Sequence, residues 1–536
     1  MHKNGLVLTL GHGSSAILIV NNEIVNGYQT ERITGIKGDS RFPSFAIEEI
    51  QKFDKIPKGT PIYISHWEPS GDVDKMNSKH FSREYLQQRF PESEIISTGS
   101  DLTHHDTHAF SALAYNHHME DGAHICVADG FGTWGEVMSF YQRTPTGLTL
   151  IKRVFGYTQS IGLLYQYATD YVGLKQNQDE WKLNAMATLC PEDRISKVES
   201  LGWDAAQYII SRQRRNVVGN PDDPVINLGA LSHTHAHVVE DLQAWFKPED
   251  MAEIALYLQT IVEEVMSYWI TNLEITDITL VGGCFLNVQL NGYIQGRVKR
   301  FCAMPLSGDE GAGLGLYKRY NSDFIIPDNL CFGKRDLTDK VFSPGLIYVV
   351  EEDLVPLVMS SLKAGHIVNV VRGSMEFGPR AYCNTSTLAL PTEENRQYIN
   401  LLNSRSTSMP MCPVLSDKDF VDLFKFDGEI CRSIEHMIVA LPFKYLKVDL
   451  TNRGVTHTLL NGVITGRPQV VTESHWIYPV VSRVGPLINT SFNNHGSPIC
   501  YDSPSILRCH ENMLEQDFSN RVVTFVVTSP DSLQAA

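Results

Sequence analysis

The chain has 536 residues, of which 43% are hydrophobic and 20% are charged, proportions that are ordinary for a globular enzyme. One hydrophobic core rarely serves a chain of this length, so two domains are expected. The 45 basic and 61 acidic residues give a formal net charge of −16, which disfavours a long nucleic-acid interface but permits a local cationic pocket. A small-molecule substrate is therefore the expected partner.

The sequence predicts a cytoplasmic protein without a membrane segment. No apolar run reaches the length of a bilayer. The stretch MHKNGLVLTLGHGSS passes from a short apolar run into glycine and histidine, unlike a signal peptide or an anchor. The ten cysteines form no C-x-x-C pair, so neither a zinc ribbon nor a disulfide framework is indicated, and we expect reduced thiols.

Two stretches of the chain share one strand pattern. Residues 5–28 predict a strand, a glycine turn, a second strand, a tight turn at Asn21 and Asn22, and a third strand. Residues 124–154 repeat the scheme, with a first strand that ends at Asp129, a glycine-rich turn and two further strands. This repetition predicts a duplicated domain, and the alternative is two unrelated β-meanders.

Residues 102–114, LTHHDTHAFSALA, predict the start of a helix that is rich in histidine. His104 and His108 would lie one turn apart on one face, where two imidazoles can reach a single ion. A histidine-rich turn and the polar end of a buried helix are the alternatives, and the spacing does not decide between them.

A helix followed by a strand and paired glycines is predicted later in the chain. Residues 249–272 carry an amphipathic helical pattern. The strand of residues 278–283 ends in Gly282 and Gly283, a plan by which α/β folds hold a nucleotide, although paired glycines are often only a tight turn. Asp309 lies in a glycine-rich loop before another helix, as a third metal ligand or as a helix cap.

Six motifs together, in their order along the chain, resemble the NodU/CmcH-type O-carbamoyltransferases. The resemblance covers nearly the whole chain and depends on the order, which chance matches to single motifs would not reproduce. The motifs are HHDTHA, VADGFGTWGE, VGGCFLNVQLNG, SGDEGAG, SMEFGPRAYCNTS and INTSFNNHGSPI.

The resemblance implies an α/β fold in two parts. Residues 1–344 would form a duplicated ribonuclease-H-like domain of the actin and Hsp70 type, similar to TsaD, which performs carbamoyl transfer. Residues 345–536 would form a YrdC-like α/β domain, which makes carbamoyl adenylate. We expect the two parts to pack around a shared, partly closed cavity, because a mixed anhydride hydrolyses readily in water.

The resemblance also implies a metal site for a divalent ion, either iron or a similar transition ion. His104, His108 and Asp309 would be its ligands, and His105 would be left outside the ligand set or exposed. The ion would act as a Lewis acid, while an imidazole would accept the proton of the acceptor alcohol. The implied catalytic residues are His12, His104, His108, Asp129 and Lys182.

The implied donor, carbamoyl adenylate, is made from carbamoyl phosphate and ATP with Mg²⁺. Both substrates are anions, and bidentate guanidinium groups suit their oxygens, so arginines are expected in the second part. Each arginine alone would otherwise be read as a surface ion pair. The implied donor-binding residues are Gly282, Gly283, Asn287, Arg372, Arg380, Asn384, Ser386, Arg405, Asn489, Ser491 and Asn493.

Three motifs depart from the family pattern, and they concern the donor pocket more than the reaction class. His12-Gly13 stands where the family often has His-Asp. Residues 383–386, CNTS, replace G-N-R-S, and residues 408–413, SMPMCP, replace F-R-P-F-A-P.

Two other functions remain open at this stage, an actin-like ATP-dependent kinase and a non-catalytic ATP-binding partner. Neither would require the C-terminal motifs SMEFGPRAYCNTS and NTSFNNHG. The acceptor is also open: the sequence is compatible with a hydroxyl of a small molecule, of a sugar or of a nucleotide.

Overall fold

A computed structural model describes residues 3–528 except residues 69, 100, 216, 219–241, 408, 427 and 445–452. Its strands form one five-stranded sheet, two seven-stranded sheets and one three-stranded sheet. The fold is therefore α/β with mixed sheets, which agrees with the predicted class. Residue 408, the first of the altered SMPMCP run, lies outside the described residues.

The first sheet contains the predicted N-terminal strands. Three of its strands form an antiparallel meander, and two more extend it in parallel. Asn21 and Asn22 join the second and third strands with φ angles of 55° and 66°, a left-handed turn that asparagine tolerates. In spatial order the strands are Glu23–Gln29, Ser15–Val20, Gly5–Thr9, Ile62–Ser65 and Ile95–Ser97.

The second sheet repeats this arrangement with an additional strand at each edge. On one side of its central strand are two strands of an antiparallel meander. On the other side are two strands that continue the sheet in parallel. Five of its strands correspond, in the same spatial order, to those of the first sheet: Gly147–Phe155, Glu136–Thr144, His124–Ala128, Asp277–Val281 and Arg300–Ala303. The additional edge strands are Val217–Val218 and Glu429–Ile430.

The predicted repeat is thus present as two sheets with one strand order and one set of strand directions. The alternative of two unrelated meanders does not explain why the two parallel strands also recur in the same places. Parallel strands end at the same edge of a sheet. Segments that follow the parallel strands of the second sheet therefore meet in one region.

The third sheet is built from residues 346–527. Its strands, in spatial order, are Leu346–Val349, Val522–Val527, Ile367–Val371, Thr385–Ala389, Leu487–Ser491, Cys412–Ser416 and Gln469–Val471. The small sheet contains Leu441–Pro442, Ile464–Gly466 and His457–Thr458.

Helices cover the sheets and close the connections between parallel strands. The predicted amphipathic helix of residues 249–272 is observed as Met251–Asn272, with its apolar face buried. None of the helices within the described ranges combines the length and apolar character that a membrane span requires. The α-helices are Thr30–Thr34, Ser44–Phe53, Arg83–Arg89, His104–Tyr115, Ile161–Tyr171, Glu180–Met186, Glu192–Gln213, Met251–Asn272, Val288–Gln295, Ala312–Tyr320, Glu351–Lys363, Glu393–Leu402, Asp417–Leu423, Tyr478–Val484 and Ser503–Gln516.

A disulfide joins Cys302 to Cys431, so the expectation that all cysteines are reduced thiols is wrong for this pair. Cys302 lies in a strand of the second sheet, and Cys431 follows the edge strand Glu429–Ile430, which pairs in parallel with it. The pairing brings the two Cα atoms to 5.3 Å, within the range of disulfides. A sequence separation of 129 residues conceals this proximity.

Candidate metal centre and active-site cavity

The helix His104–Tyr115, called the histidine helix below, begins as its sequence predicts. The Thr103 hydroxyl accepts a hydrogen bond from Asp106 N at 3.3 Å, and the Asp106 carboxylate accepts one from Thr103 N at 2.8 Å. This reciprocal cap fixes the first turn. It places His104 and His108 one turn apart, and both side chains are buried.

Four side chains converge beside the histidine helix. The Nε2 atoms of His104 and His108 are 3.2 Å apart. Asp309 Oδ1 lies 3.2 Å and 3.4 Å from these two atoms, and Asp129 Oδ2 lies 3.6 Å and 3.2 Å from them. All four atoms lie within 4.8 Å of one another. Asp129, expected from the sequence as a catalytic residue, thus stands among the potential ligands.

These spacings fit a single coordinated ion. Four ligands at about 2.1 Å from a tetrahedral metal are about 3.4 Å apart, close to the distances between the four atoms. Two nitrogens and two carboxylate oxygens suit a divalent transition ion. Within the described part of the chain, Nδ1 of either histidine has no hydrogen-bond partner, so packing of the helix, rather than a hydrogen bond, holds the imidazoles.

The charge of this cluster also calls for a cation. Burial opposes protonation of His104, but Asp309 and Asp129 outweigh it and raise its pKa to about 10. Burial also opposes ionisation of Asp309, yet His104 and His108 lower its pKa to about 2. The buried carboxylates therefore retain their negative charge and draw positive charge to the site. A divalent ion would supply that charge in place of imidazole protons.

The second sheet delivers both aspartates. Asp129 follows the strand His124–Ala128, where its Oδ1 accepts a hydrogen bond from Gly130 N at 2.6 Å, and its Oδ2 faces the imidazoles. Asp309 follows the parallel strand Arg300–Ala303 and is the first residue of a short 3₁₀ turn. Its carboxylate faces the imidazoles and makes no cap to the following helix, so the alternative that Asp309 is a helix cap is wrong.

His105 points to the other side of the histidine helix. Its side chain is buried, and its Nδ1 shares a hydrogen bond with the Ser139 hydroxyl at 2.8 Å. The alternative that His105 is exposed is therefore wrong, and its position agrees with a residue outside the ligand set.

A cavity of about 470 Å³ opens beside the two aspartates and is lined by both parts of the chain. The N-terminal part contributes expected site residues on one wall, and the C-terminal part contributes expected donor-binding residues on the other. The expected residues in its lining are His12, Asp129, Gly283, Asn287, Asp309, Arg380, Arg405, Asn489, Ser491 and Asn493. His104 and His108 lie behind the aspartates and do not line the cavity themselves.

Arg380 is a candidate anion-binding group of this cavity. Its guanidinium makes no hydrogen bond or ion pair to any residue in the described ranges, and its Nε is a buried atom without a partner. Burial and the neighbouring Arg467 lower the pKa of Arg380 to about 10. The Arg380 side chain is half-buried, and a buried guanidinium nitrogen without a partner is costly unless a ligand satisfies it. Phosphate or carbamoyl oxygens would satisfy it.

Several expected donor-binding residues lie outside the cavity lining and have partners within the protein. Arg372 forms an ion pair with Glu351 at 2.6 Å and donates a hydrogen bond to Asn384 Oδ1 at 2.9 Å. The Asn384 amide in turn donates to the Ser374 carbonyl at 2.8 Å. The Ser386 hydroxyl accepts from Cys383 N. These side chains hold the loop that presents Arg380, rather than facing the cavity.

Lys182 and Gly282 also lie outside the lining, although their neighbours belong to it. The Lys182 ammonium lies 2.8 Å from Asp179 and 3.2 Å from His495, while Trp181 faces the cavity. Gly282 has a φ of 107°, and an added Cβ would lie 2.3 Å from the Ala128 carbonyl. The backbone, not a ligand contact, therefore explains this glycine.

Six charged residues that sequence reasoning did not single out line the cavity: Glu31, Arg32, Lys37, Asp39, Glu310 and Arg467. Glu310 adjoins Asp309 in the SGDEGAG motif, so its position in the chain was a usable signal. Arg467 lies in the turn between two short strands, and no local pattern marks it.

Two sequence profiles match this chain. The carbamoyltransferase N-terminus matches residues 93–316, and the carbamoyltransferase C-terminus matches residues 359–519. Together they span most of the chain and include the histidine helix, both aspartates and Arg380.

The proteins to which this chain is similar include two relatives and one solved structure. An uncharacterised protein of Methanocaldococcus jannaschii is 26% identical over 95% of this chain and 96% of its own length. A 3'-hydroxymethylcephem-O-carbamoyltransferase of Streptomyces clavuligerus is 30% identical over 42% of this chain and 43% of its own. Full-length HypF in its phosphate- and nucleotide-bound form is 15% identical, with a TM-score of 0.30 over 61% of this chain and 58% of that one. The chain belongs to the carbamoyltransferase family and is a transferase.

Proposed function

We propose that this protein is an ATP-dependent O-carbamoyltransferase. It makes carbamoyl adenylate from carbamoyl phosphate and ATP and transfers the carbamoyl group to a hydroxyl of a small-molecule acceptor. The observation that carries the proposal is a cavity with two aspartates of the four-residue cluster on one wall and, on the other, Arg380, whose guanidinium has no partner among the described residues. A kinase would need neither the second wall nor its arginines.

The proposed reaction has two stages. Carbamoyl phosphate loses its phosphate to water, and an oxygen of the resulting carbamate attacks the α-phosphorus of ATP, so phosphate and pyrophosphate leave. The acceptor hydroxyl then attacks the carbamoyl carbon, loses its proton to a base, and AMP leaves. No oxidant or reductant is required.

The chain's residues have distinct roles in this proposal. Arg380, Arg405 and Arg467 bind the anionic oxygens of the donors, and burial strengthens these contacts. Asn489 and Asn493 shape the same wall, because their amides donate to the carbonyls of Ala381 and Ser497, each at 2.9 Å.

On the opposite wall, His12 would accept the proton of the hydroxyl, and its position in the cavity lining supports this role. The cluster of His104, His108, Asp129 and Asp309 would hold a divalent ion, which when bound polarises carbamoyl and phosphate oxygens as a Lewis acid. The turn at Gly13 packs closely against the backbone of Glu310, because a Cβ added at residue 13 would lie 2.7 Å from Glu310 N. This close packing fixes the loop that carries His12.

The proposal extends to the architecture. We assign the first two sheets to the two halves of a ribonuclease-H-like domain of the TsaD type, because they repeat one strand order and one set of directions. We assign the third sheet to a YrdC-like domain that forms the adenylate. The division near residue 345 falls just before Leu346, the first residue of the third sheet.

The test incubates full-length protein with carbamoyl phosphate and ATP and follows the nucleotide products. We expect pyrophosphate only when carbamoyl phosphate is present, and AMP with a carbamoylated product when a hydroxyl acceptor is added. The mass gain of one carbamoyl group on the acceptor identifies the product. Release of ADP without pyrophosphate would instead support a kinase.

A further inference from the structure

A buried glutamate connects the two segments that carry three of the four potential ligands. Glu136 is fully buried. Its Oε1 accepts a hydrogen bond from His105 N at 2.8 Å, in the first turn of the histidine helix. Its backbone carbonyl accepts a bond from Gly132 N at 2.8 Å, in the turn that follows Asp129. One residue therefore contacts both the helix of the imidazoles and the turn of the aspartate.

The second carboxylate oxygen of Glu136 faces a buried cation. Arg153 Nε lies 3.2 Å from Glu136 Oε2, and Arg153 Nη2 lies 2.6 Å from Asp106 Oδ1. Asp106 is the acidic member of the cap that starts the histidine helix. Arg153 is 7% exposed, so water screens these charges little. The arginine neutralises both carboxylates that hold the first turn.

The first four N–H groups of this region are all paired with side chains. Thr103 N donates to Asp106, His104 N to the Thr133 hydroxyl at 3.1 Å, His105 N to Glu136 and Asp106 N to Thr103. A helix offers these groups no backbone partner of its own. Without Glu136, a buried N–H next to two ligands would be unpaired, and the turn would shift toward another partner.

We propose that Glu136 is a positioning residue that sets the distance between the two imidazoles and Asp129, with Arg153 as its counterion. The inference rests on the proposed metal-dependent function. Glu136 offers an acceptor oxygen to His105 N and a negative charge to Arg153, whose Nε forms an ion pair with Oε2 while it donates its hydrogen bond to the Ser139 hydroxyl. Glutamine retains the acceptor but not the charge, and leucine retains neither.

The experiment titrates metal-free, full-length protein with Co²⁺, whose visible absorption bands report the ligand geometry and whose dissociation constant is read from the same titration. We expect Glu136→Leu to raise the Co²⁺ dissociation constant at least about tenfold, as loss of residues that orient ligands does. We also expect its absorption bands to change. Glu136→Gln should give an intermediate dissociation constant.

The matched control is Arg432→Met, at the other end of the same helix. Arg432 Nη1 donates to the Tyr115 carbonyl at 2.7 Å, so its loss also removes a buried contact of the helix. We expect both Arg432→Met and Glu136→Leu to lower the thermal midpoint of the metal-free protein. Only the Glu136 variants should weaken Co²⁺ binding.

The outcomes separate this inference from the proposed function. Wild-type protein that binds no Co²⁺ would overturn the proposed metal dependence and the inference with it. Wild-type binding with an unchanged dissociation constant in Glu136→Leu, or an equal change in Arg432→Met, would overturn the inference alone. If Glu136→Leu does not fold, Glu136→Gln decides, and wild-type affinity and bands in that variant would overturn the positioning role.

Discussion

Gly283 lies directly against the carboxylate of Asp129. A Cβ added at residue 283 would be 3.1 Å from Asp129 Oδ1, closer than ordinary contact. The two residues follow neighbouring parallel strands of the second sheet, which explains why they meet. The absence of a side chain at residue 283 therefore leaves room for the Asp129 carboxylate.

Gly283→Ala should disturb the cluster more than the fold. The new methyl group would displace the Asp129 carboxylate by a few tenths of an ångström, and we expect metal affinity to fall about tenfold. Gly282→Ala should instead lower the stability of the fold more than metal affinity. Its Cβ would clash with the Ala128 carbonyl at a φ of 107°, a strain of about 1–3 kcal/mol. Thermal unfolding and metal titration of both variants measure this contrast. Equal loss of affinity at equal loss of stability would contradict it.

His104→Ala and His108→Ala should each remove bound metal. Either change opens one coordination position. Loss of a residue that only orients a ligand costs roughly 10–100-fold in activity, and we expect the rate of carbamoyl transfer to fall by more than this. Metal content by elemental analysis and the rate of transfer are the measurements. His66→Ala is the control, because His66 is another buried histidine, bonded to the Thr98 carbonyl. Full metal occupancy in both cluster variants would contradict the assignment.

Arg380→Ala should abolish formation of carbamoyl adenylate while transfer from supplied carbamoyl adenylate largely persists. The reason is that its guanidinium, which has no partner among the described residues, lines the cavity that we propose binds the anionic donors. Arg372→Ala is a matched control from the same loop, and we expect a smaller effect because Arg372 is paired with Glu351. Pyrophosphate release and acceptor carbamoylation measure the two stages. Equal loss in both stages, with folding intact, would count against separate donor and transfer sites.

Glu263 should make stability depend on pH. Burial raises its pKa to about 7, despite a hydrogen bond from Gln259. Above its ordinary pKa of 4.5 the unfolded chain ionises while the folded protein keeps the proton, so stability falls as pH rises toward 7 and is then constant. Relative to Glu263→Gln, wild type should lose about 2 kcal/mol between about pH 5 and about pH 8. Denaturation of both proteins across this range measures the difference, and parallel curves would contradict it.

The sequence predicted elements and their order better than it predicted the direction of side chains. The strand pattern of residues 5–28 and 124–154 and the long helix of residues 249–272 follow from local periodicity, which the structure retains. Lys182 lies on a helix, as its neighbours do, but the helix turns Trp181 rather than Lys182 toward the cavity. Local sequence determines a helix without determining its rotation relative to a distant wall.

Long-range proximity was the other obstacle. Asp129 joins the imidazoles because the strand His124–Ala128 ends beside the histidine helix, which no spacing along the chain reveals. Arg467 reaches the cavity from a turn between two short strands of the C-terminal part. Arg372, Asn384 and Ser386 lie near Arg380 in the sequence, yet their side chains form hydrogen bonds within the loop that carries Arg380. A motif therefore located the donor wall, but only packing distinguished the residue that faces it from those that support it.

The edge strand Glu429–Ile430 affects how this protein folds during its synthesis on the ribosome. It completes a sheet whose other strands all precede residue 304, so that sheet stays one strand short while more than a hundred further residues are synthesised. The exposed edge beside Phe301 is a template for pairing with a neighbouring nascent chain. A fragment that stops at residue 344 would keep this open edge permanently. Aggregation of such a fragment would thus reflect a missing strand rather than an unstable domain.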